Sequence, residues 1–147
     1  MKVGEAMNRG AHIVNANDTL KKAAEIMAEE DVGFLPVEED DRLIGMITDR
    51  DIVTRCVAQG KDGDARVRDA MTRDVKYCYD YDDLEAVMEN MAEIQVRRLP
   101  VMSEEKRLIG ILSLADVARC YSPDTVGIAF SGVVAPGGEH AGQIGRA

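Results

Sequence analysis

The sequence predicts an α/β (α+β) fold made of two pseudo-symmetric repeats, each a small three-stranded sheet packed with helices. The main observation is a stretch at residues 45–51, GMITDRD, that returns at residues 110–116 as GILSLAD. In each stretch an apolar strand ends at a hydroxyl residue, Thr48 or Ser113, and a carboxylate follows three residues later at the start of a helix. Repetition of a whole pattern at a fixed spacing indicates one structural unit that is present twice.

Other segments repeat around these two stretches in the same order. The amphipathic lead-in Val3–Met7 returns as Val67–Met71, and each lead-in is followed by a short candidate strand. Apolar residues at helical spacing then follow Asp18 in one repeat and Asp82 in the other, which indicates an amphipathic helix in each. Each repeat therefore reads helix-strand-helix-strand-strand-helix.

A Leu-Pro-Val strand follows the amphipathic helix in both repeats, at Leu35–Val37 and Leu99–Val101. Proline has no N–H to donate to a strand ladder. We therefore expect both strands to lie at an edge or an end of their sheet.

The spacing of the repeats sets the expected domain boundaries. The first repeat is expected at residues 1–60 and the second at residues 67–121, joined by a polar linker at residues 61–66. The remaining segment, residues 122–147, contains several glycines and is expected to form a flexible tail.

Composition and charge restrict the classes of partner. The chain has 147 residues, of which 46% are hydrophobic and 31% charged, as in folded globular domains. The net charge of −9 disfavours nucleic acid, because phosphate backbones would be repelled. No apolar run approaches the ~20 residues of a membrane span, and the N-terminus lacks the apolar segment of an export signal. We therefore expect a cytoplasmic protein without a membrane partner.

Catalytic and metal-binding motifs are not found. The three cysteines are widely spaced and occur in no CxxC pair, and His12 and His140 stand alone, so neither a metal site nor a disulfide framework is predicted. The sequence has no Gly-x-Ser-x-Gly elbow and no P-loop. We expect a protein that is not an enzyme.

The doubled pattern resembles a tandem pair of cystathionine β-synthase (CBS) domains, also called a Bateman module, of the stand-alone bacterial kind. The residues that carry the resemblance are the lead-ins, the Leu-Pro-Val strands and the two stretches at 45–51 and 110–116. The resemblance implies a regulatory protein for signal transduction, a homodimer that acts on a partner protein not identified by the sequence. It also implies an adenosine-containing ligand in the cleft between the repeats: AMP, ADP, ATP, NAD or S-adenosylmethionine. No cofactor is implied as a requirement.

Two interpretations of the Thr48-x-x-Asp51 and Ser113-x-x-Asp116 patterns stay open. A hydroxyl followed three residues later by a carboxylate is a helix-capping arrangement, which by itself explains both copies. A carboxylate that accepts two hydrogen bonds also suits a ribose diol, and a helix N-terminus with a hydroxyl suits a phosphate. The resemblance assigns Asp51 and Asp116 to the ribose, and Thr48 and Ser113 to the ribose-phosphate.

Further candidates make the two sites unequal. Arg97 and Arg98 match positions where similar proteins carry a basic pair for phosphate, whereas the first repeat has Gly33 and Phe34 there. Arginine donates two parallel bonds to phosphate, but a solvated surface role is the alternative. Arg50 is a further phosphate candidate, with a local ion pair as its alternative. Candidates to enclose the adenine, with ordinary core packing as the alternative, are Ile13, Val14, Pro36, Tyr77, Cys78 and Pro100.

Two functions therefore follow from the sequence. The first is a sensory module whose ligand shifts the relative arrangement of the repeats. The alternative is a dimerising scaffold that binds no ligand and uses the apolar helix faces to pack against a second pair.

Overall fold

The computed structural model describes residues 1–135 and divides into two compact units. The first unit is Ala11–Val75, and the second unit combines Met1–Gly10 with the described chain from Lys76 onward. The lead-ins are therefore exchanged: residues 1–10 belong to the unit of the second repeat, and residues 67–75 to the unit of the first.

The helices and strands follow the predicted order in both repeats. The first half contains α1 (Val3–Ala6), β1 (Asn8–Arg9), β2 (Val14–Asn15), α2 (Leu20–Glu30), β3 (Phe34–Glu39), β4 (Arg42–Thr48) and α3 (Asp49–Arg55). Two 3₁₀ turns follow, Val57–Gln59 and Val67–Asp69. The second half contains β5 (Cys78–Tyr79), α4 (Leu84–Ile94), β6 (Arg98–Met102), β7 (Leu108–Ser113), α5 (Leu114–Ala118) and α6 (Pro123–Val133).

The first unit is built on a three-stranded sheet in the order β2-β3-β4. Strand β3 pairs in parallel with β2 and antiparallel with β4, with Leu35 opposite Ile47. Helix α2 begins after Thr19, whose hydroxyl accepts the Lys22 N–H at 3.1 Å. The apolar residues of this helix complete a core with the sheet, and the buried members include Leu20, Ala23, Met27, Leu35, Val37 and Ile47.

The second unit has a four-stranded sheet in the order β1-β7-β6-β5. The predicted α/β class is confirmed, and three of these strands are the predicted ones. The additional strand, β1, comes from the exchanged N-terminal segment and pairs antiparallel with β7. Helix α4 begins after Asp83, which accepts the Ala86 N–H at 3.1 Å, and its apolar face is buried against the sheet.

The two proline-containing strands are interior strands, so the prediction that they lie at an edge was wrong. β3 lies between β2 and β4, and β6 lies between β7 and β5. The short parallel neighbour explains why proline is tolerated: β2 pairs only with Val37 and Glu38, and β5 only with Val101 and Met102. Pro36 and Pro100 precede these pairs, so no ladder bond from the neighbouring strand is required at their nitrogens.

Gly45 and Gly110 lie where an exchanged lead-in crosses the sheet closely. A Cβ added at Gly110 would lie 2.4 Å from the Asn8 carbonyl oxygen, and one at Gly45 would lie 2.8 Å from the Thr72 carbonyl oxygen. Thr72 and Met46 exchange two backbone hydrogen bonds of 2.8 and 2.9 Å at this crossing. The glycine that opens each repeated stretch therefore gives the lead-in backbone room to approach the strand.

The expectation of a flexible tail is corrected for the part that the structure describes. Helix α6 begins after Ser122, whose hydroxyl accepts the Thr125 N–H at 3.3 Å, and Pro123 occupies its first turn, where a missing N–H is harmless. Val133 is buried in the core of the second unit. Residues 136–147, the rest of the predicted tail, lie outside the described residues.

Candidate functional site

Thr48 and Asp51 form a complete capping box at the start of α3. The Thr48 hydroxyl accepts the Asp51 N–H at 3.0 Å, and Asp51 Oδ2 accepts the Thr48 N–H at 3.0 Å. Both residues are buried, with Thr48 7% and Asp51 8% exposed. A capping box is therefore present in this repeat, and it uses one of the two carboxylate oxygens of Asp51.

Ser113 and Asp116 form the same box at the start of α5, with one additional bond. Asp116 Oδ2 accepts both the Ser113 N–H and the Ser113 hydroxyl, each at 2.8 Å, and the Ser113 oxygen accepts the Asp116 N–H at 3.2 Å. Asp116 is only 2% exposed. Capping is therefore present in both repeats.

The second carboxylate oxygen distinguishes the two repeats. Asp116 Oδ1 accepts hydrogen bonds from Asn8 Nδ2 at 3.0 Å and from Arg119 Nη1 at 2.9 Å. The neighbour of Asp51 Oδ1 is Arg55, whose Nε lies 3.9 Å away, beyond hydrogen-bonding distance. Within the described part of the chain, Asp51 Oδ1 therefore has no protein donor, whereas the equivalent oxygen of Asp116 already accepts two hydrogen bonds.

These partners were missed by the sequence reasoning. Arg55 follows Asp51 by four residues and Arg119 follows Asp116 by three, and both spacings place the side chains on one helix face. That signal was present in the sequence. The contact of Asn8 depends on the pairing of β1 with β7, which no local pattern indicates.

Most N–H groups in the first turn of α3 already have an acceptor within the protein. Asp49 N–H donates to the Gly33 carbonyl oxygen at 2.9 Å, and Arg50 N–H donates to Asp49 Oδ1 at 2.9 Å. Asp51 N–H donates to Thr48, as described above. In α5, Leu114 N–H donates to the Arg97 carbonyl oxygen at 3.0 Å. A phosphate at α3 would have to displace these acceptors.

The three candidate arginines have different surroundings. Arg50 and Arg97 are exposed, whereas Arg98 is half-buried and lies opposite Ser113 in the β6-β7 ladder. Burial and then the charge of Arg97 lower the pKa of the Arg98 guanidinium, and the charge of Asp116 opposes that shift. The corresponding place opposite Thr48 is taken by Phe34. The strand residue opposite the capping hydroxyl is therefore an arginine in the second unit and a phenylalanine in the first.

Most of the six candidates to enclose an adenine are core residues. Val14, Pro36 and Pro100 are buried, and so is Cys78, whose thiol lies 3.9 Å from the Pro100 carbonyl oxygen. Two candidates expose their side chains, Ile13 at 41% and Tyr77 at 50%. Their contact with a ligand stays a prediction.

A model of a known protein family matches both repeats of the chain. The model of the family described as CBS domain matches twice, at residues 3–58 and 67–122. The chain belongs to the CBS domain family. The two matches follow the sequence duplication, whereas the compact units exchange their lead-ins.

Individual CBS proteins are similar over most of the chain. Hypoxic response protein 1 of Mycobacterium tuberculosis is 44% identical over 117 residues, which cover 78% of this chain and 81% of that protein. The crystal structure of hypoxic response protein I with two coordinated zinc ions matches with a TM-score of 0.74 and 40% identity, covering 83% of this chain and 100% of that one. The crystal structure of CBSX2 in complex with AMP matches with a TM-score of 0.71 and 30% identity, covering 81% of this chain and 94% of that one.

Residues 1–135 of this CBS pair contain neither a cluster of metal ligands nor a helix that could span a membrane. Within that part of the chain, no three or more His, Cys, Asp or Glu side chains converge as a metal site. His12 lies beside a single carboxylate, with Nε2 3.2 Å from Glu30. None of the helices in the same range has the length and apolar character needed to cross a membrane.

Proposed function

We propose that this CBS pair is a regulatory, non-catalytic module that binds an adenosine-containing ligand through Asp51 of the first unit. AMP is the first ligand to test, because CBSX2 is solved in complex with AMP. ADP, ATP, NAD and S-adenosylmethionine share the adenosine group and are the other candidates. The proposal includes a homodimer that acts on a partner protein in the cytoplasm.

The observation that carries this proposal is the carboxylate oxygen Oδ1 of Asp51, which has no protein donor in residues 1–135 although the side chain is largely buried. Asp51 is 8% exposed, yet its Oδ1 has a cation at 3.9 Å and no donor at hydrogen-bonding distance among the described residues. Asp51 Oδ1 keeps some access to solvent and is not an unsatisfied buried atom, so a ligand donor can reach it without displacing a protein partner. A ribose offers two adjacent hydroxyl donors, which suits a carboxylate whose other oxygen is fixed by a capping box.

Thr48 supports the same assignment. Its oxygen accepts the Asp51 N–H, while its own hydroxyl proton has no acceptor among the described residues. The serine at the same place in the second unit instead donates to its carboxylate at 2.8 Å. Thr48 therefore has a donor available for the ribose or an adjacent phosphate oxygen, and exposed Arg50 lies two residues further along.

Calorimetric titration with AMP, followed by ATP, NAD and S-adenosylmethionine, tests the proposal. We expect Asp51→Asn to weaken binding about tenfold to a hundredfold, because hydrogen bonds to a charged group contribute roughly 1.5–3 kcal/mol. Asp49→Asn is the matched control: it removes the same charge from the same helix turn, but at an exposed position. Absence of heat and of any melting shift with all four compounds at millimolar concentration would refute the function.

A ligand-free dimerising scaffold is the second candidate, favoured by one observation. Val53 of α3 and Val57 of the following 3₁₀ turn are 57% and 64% exposed, so both offer apolar side chains for a contact on this side of the first unit. A scaffold predicts that Val53→Ser shifts the protein from dimer to monomer in sedimentation, with no effect of AMP on melting. A dimer that Val53→Ser leaves intact would argue against a contact at these residues.

A further inference from the structure

We propose that Asn8 and Arg119 clamp Asp116, so that the second unit does not bind an adenosyl ligand and the chain takes one ligand rather than two. This inference rests on the proposed function of Asp51, because it concerns the equivalent carboxylate. We call Asn8 and Arg119 the Asp116 clamp.

Asp116 already has a full set of hydrogen-bond donors within the second unit. Its two oxygens accept four hydrogen bonds, from Asn8 Nδ2, Arg119 Nη1, the Ser113 N–H and the Ser113 hydroxyl, at 3.0, 2.9, 2.8 and 2.8 Å. An ionised carboxylate offers about four lone-pair positions, so its capacity is filled. A ribose diol could bind only by displacing a donor that is already in place.

The first unit has different residues at the two clamp positions. The clamp residues correspond to Thr72 and Thr54 in the other repeat, by the offsets 72 − 8 = 64 and 119 − 54 = 65. Thr54 donates its hydroxyl to the Arg50 carbonyl oxygen at 2.8 Å. Neither threonine bonds to Asp51 among the described residues, so the clamp belongs to the second unit alone.

The two clamp residues reach Asp116 from different elements of the second unit. Asn8 is in β1, the exchanged strand whose residues Asn8 and Arg9 pair with Ile111 and Gly110 of β7. Arg119 follows directly after α5, and its side chain is 71% exposed although its guanidinium bonds to a carboxylate that is 2% exposed. Arg119 therefore covers Asp116 from the solvent side, and Asn8 holds the same oxygen from the neighbouring strand.

Ligand stoichiometry tests the clamp directly, with AMP as the probe. We expect equilibrium dialysis to give one AMP per chain for the unchanged protein and two for the double variant Asn8→Ala/Arg119→Ala. Adding Asp116→Asn to the double variant should return the value to one. Arg9→Ala is the matched control, since it removes a charge from the same strand without touching Asp116, and it should leave one AMP bound.

The failures of the two proposals can be distinguished. One AMP per chain in a folded double variant, or two in the unchanged protein, would overturn the clamp while leaving the Asp51 site in place. A different set of results would overturn the Asp51 site and support the clamp. In that case the unchanged protein binds no AMP, the double variant binds one AMP per chain, and adding Asp116→Asn to the double variant abolishes that binding. No AMP bound by either protein would overturn both.

A second variant covers the case in which the double variant fails to fold. Arg119→Ala leaves the Asn8 and Ser113 donors on Asp116, so this variant is expected to fold, with its melting temperature lowered by several degrees. With one donor removed, the second site should bind AMP at least tenfold more tightly than in the unchanged protein. An unaltered isotherm for this variant would contradict the clamp.

Discussion

The substitution Gly110→Ala is expected to destabilise the second unit because the exchanged strand β1 lies directly over this glycine. The added Cβ would lie 2.4 Å from the Asn8 carbonyl oxygen and 3.1 Å from Met7 Sδ. A Cβ contact below 3.0 Å forces the backbone to move, and the nearest atom belongs to the main chain rather than to a flexible side chain. Overpacking costs about 1–3 kcal/mol, and the upper half of that range applies here. For a chain of this size, we expect Tm to fall by roughly 4–12 °C.

Gly127→Ala is the control with the opposite sign. Gly127 lies in helix α6 with no atom within 4 Å of an added Cβ, so alanine gains helix propensity without a clash. We expect stabilisation by about 0.5–1 kcal/mol and a small rise in Tm. Thermal unfolding followed by circular dichroism measures both variants. A Gly110→Ala protein that melts with the unchanged protein would refute the argument that β1 requires a glycine beneath it.

Two further predictions follow from burial and capping. Burial, and then the charge of Asp82, raise the pKa of Cys78 from 9.0 to about 12, so this thiol should resist a disulfide reagent at about pH 8 while half-buried Cys120 reacts. Between about pH 9 and about pH 12 the thiol of Cys78 is ionised in the unfolded chain but still protonated in the folded one, because its pKa is raised in the folded protein. The free energy of unfolding should therefore fall as the pH increases through this range, and urea midpoints measured across it check the sign. Thr48→Ala should cost about 1 kcal/mol as a lost cap, and Ser113→Ala more, because the serine hydroxyl also donates to a buried carboxylate; equal urea midpoints for the two variants would contradict this difference.

Local patterns in the sequence predicted the repeated parts of the fold correctly. Each capping box is encoded within four residues, a hydroxyl followed by a carboxylate, and both boxes form as predicted. The amphipathic helices α2 and α4 bury the faces that their spacing indicated. Such features depend on neighbours in sequence, so a single chain is enough to predict them.

The errors arose where distant segments meet. The edge position predicted for the proline strands neglected how short β2 and β5 are, since a two-residue neighbour leaves the proline nitrogen without a required partner. Asn8 gave no sign of its contact with Asp116, 108 positions away, because β1 is a two-residue strand without a hydrophobic pattern. The two protein donors on Asp116 Oδ1 could not be predicted for the same reason, because one of them depends on this strand pairing.

The exchange of lead-ins also sets the order in which the chain can fold. Residues 11–75 are contiguous, so the first unit has all its parts once that segment has been synthesised. The sheet of the second unit can be completed only late in synthesis, because strand β1 is made first and its partner β7 is made about a hundred residues later. Closing so long a loop is slow and entropically unfavourable, although the penalty grows only with the logarithm of loop length. If the chain were cut at residues 61–66, the C-terminal fragment would contain β7 without β1. A fragment of residues 11–75, in contrast, would keep every strand of its sheet.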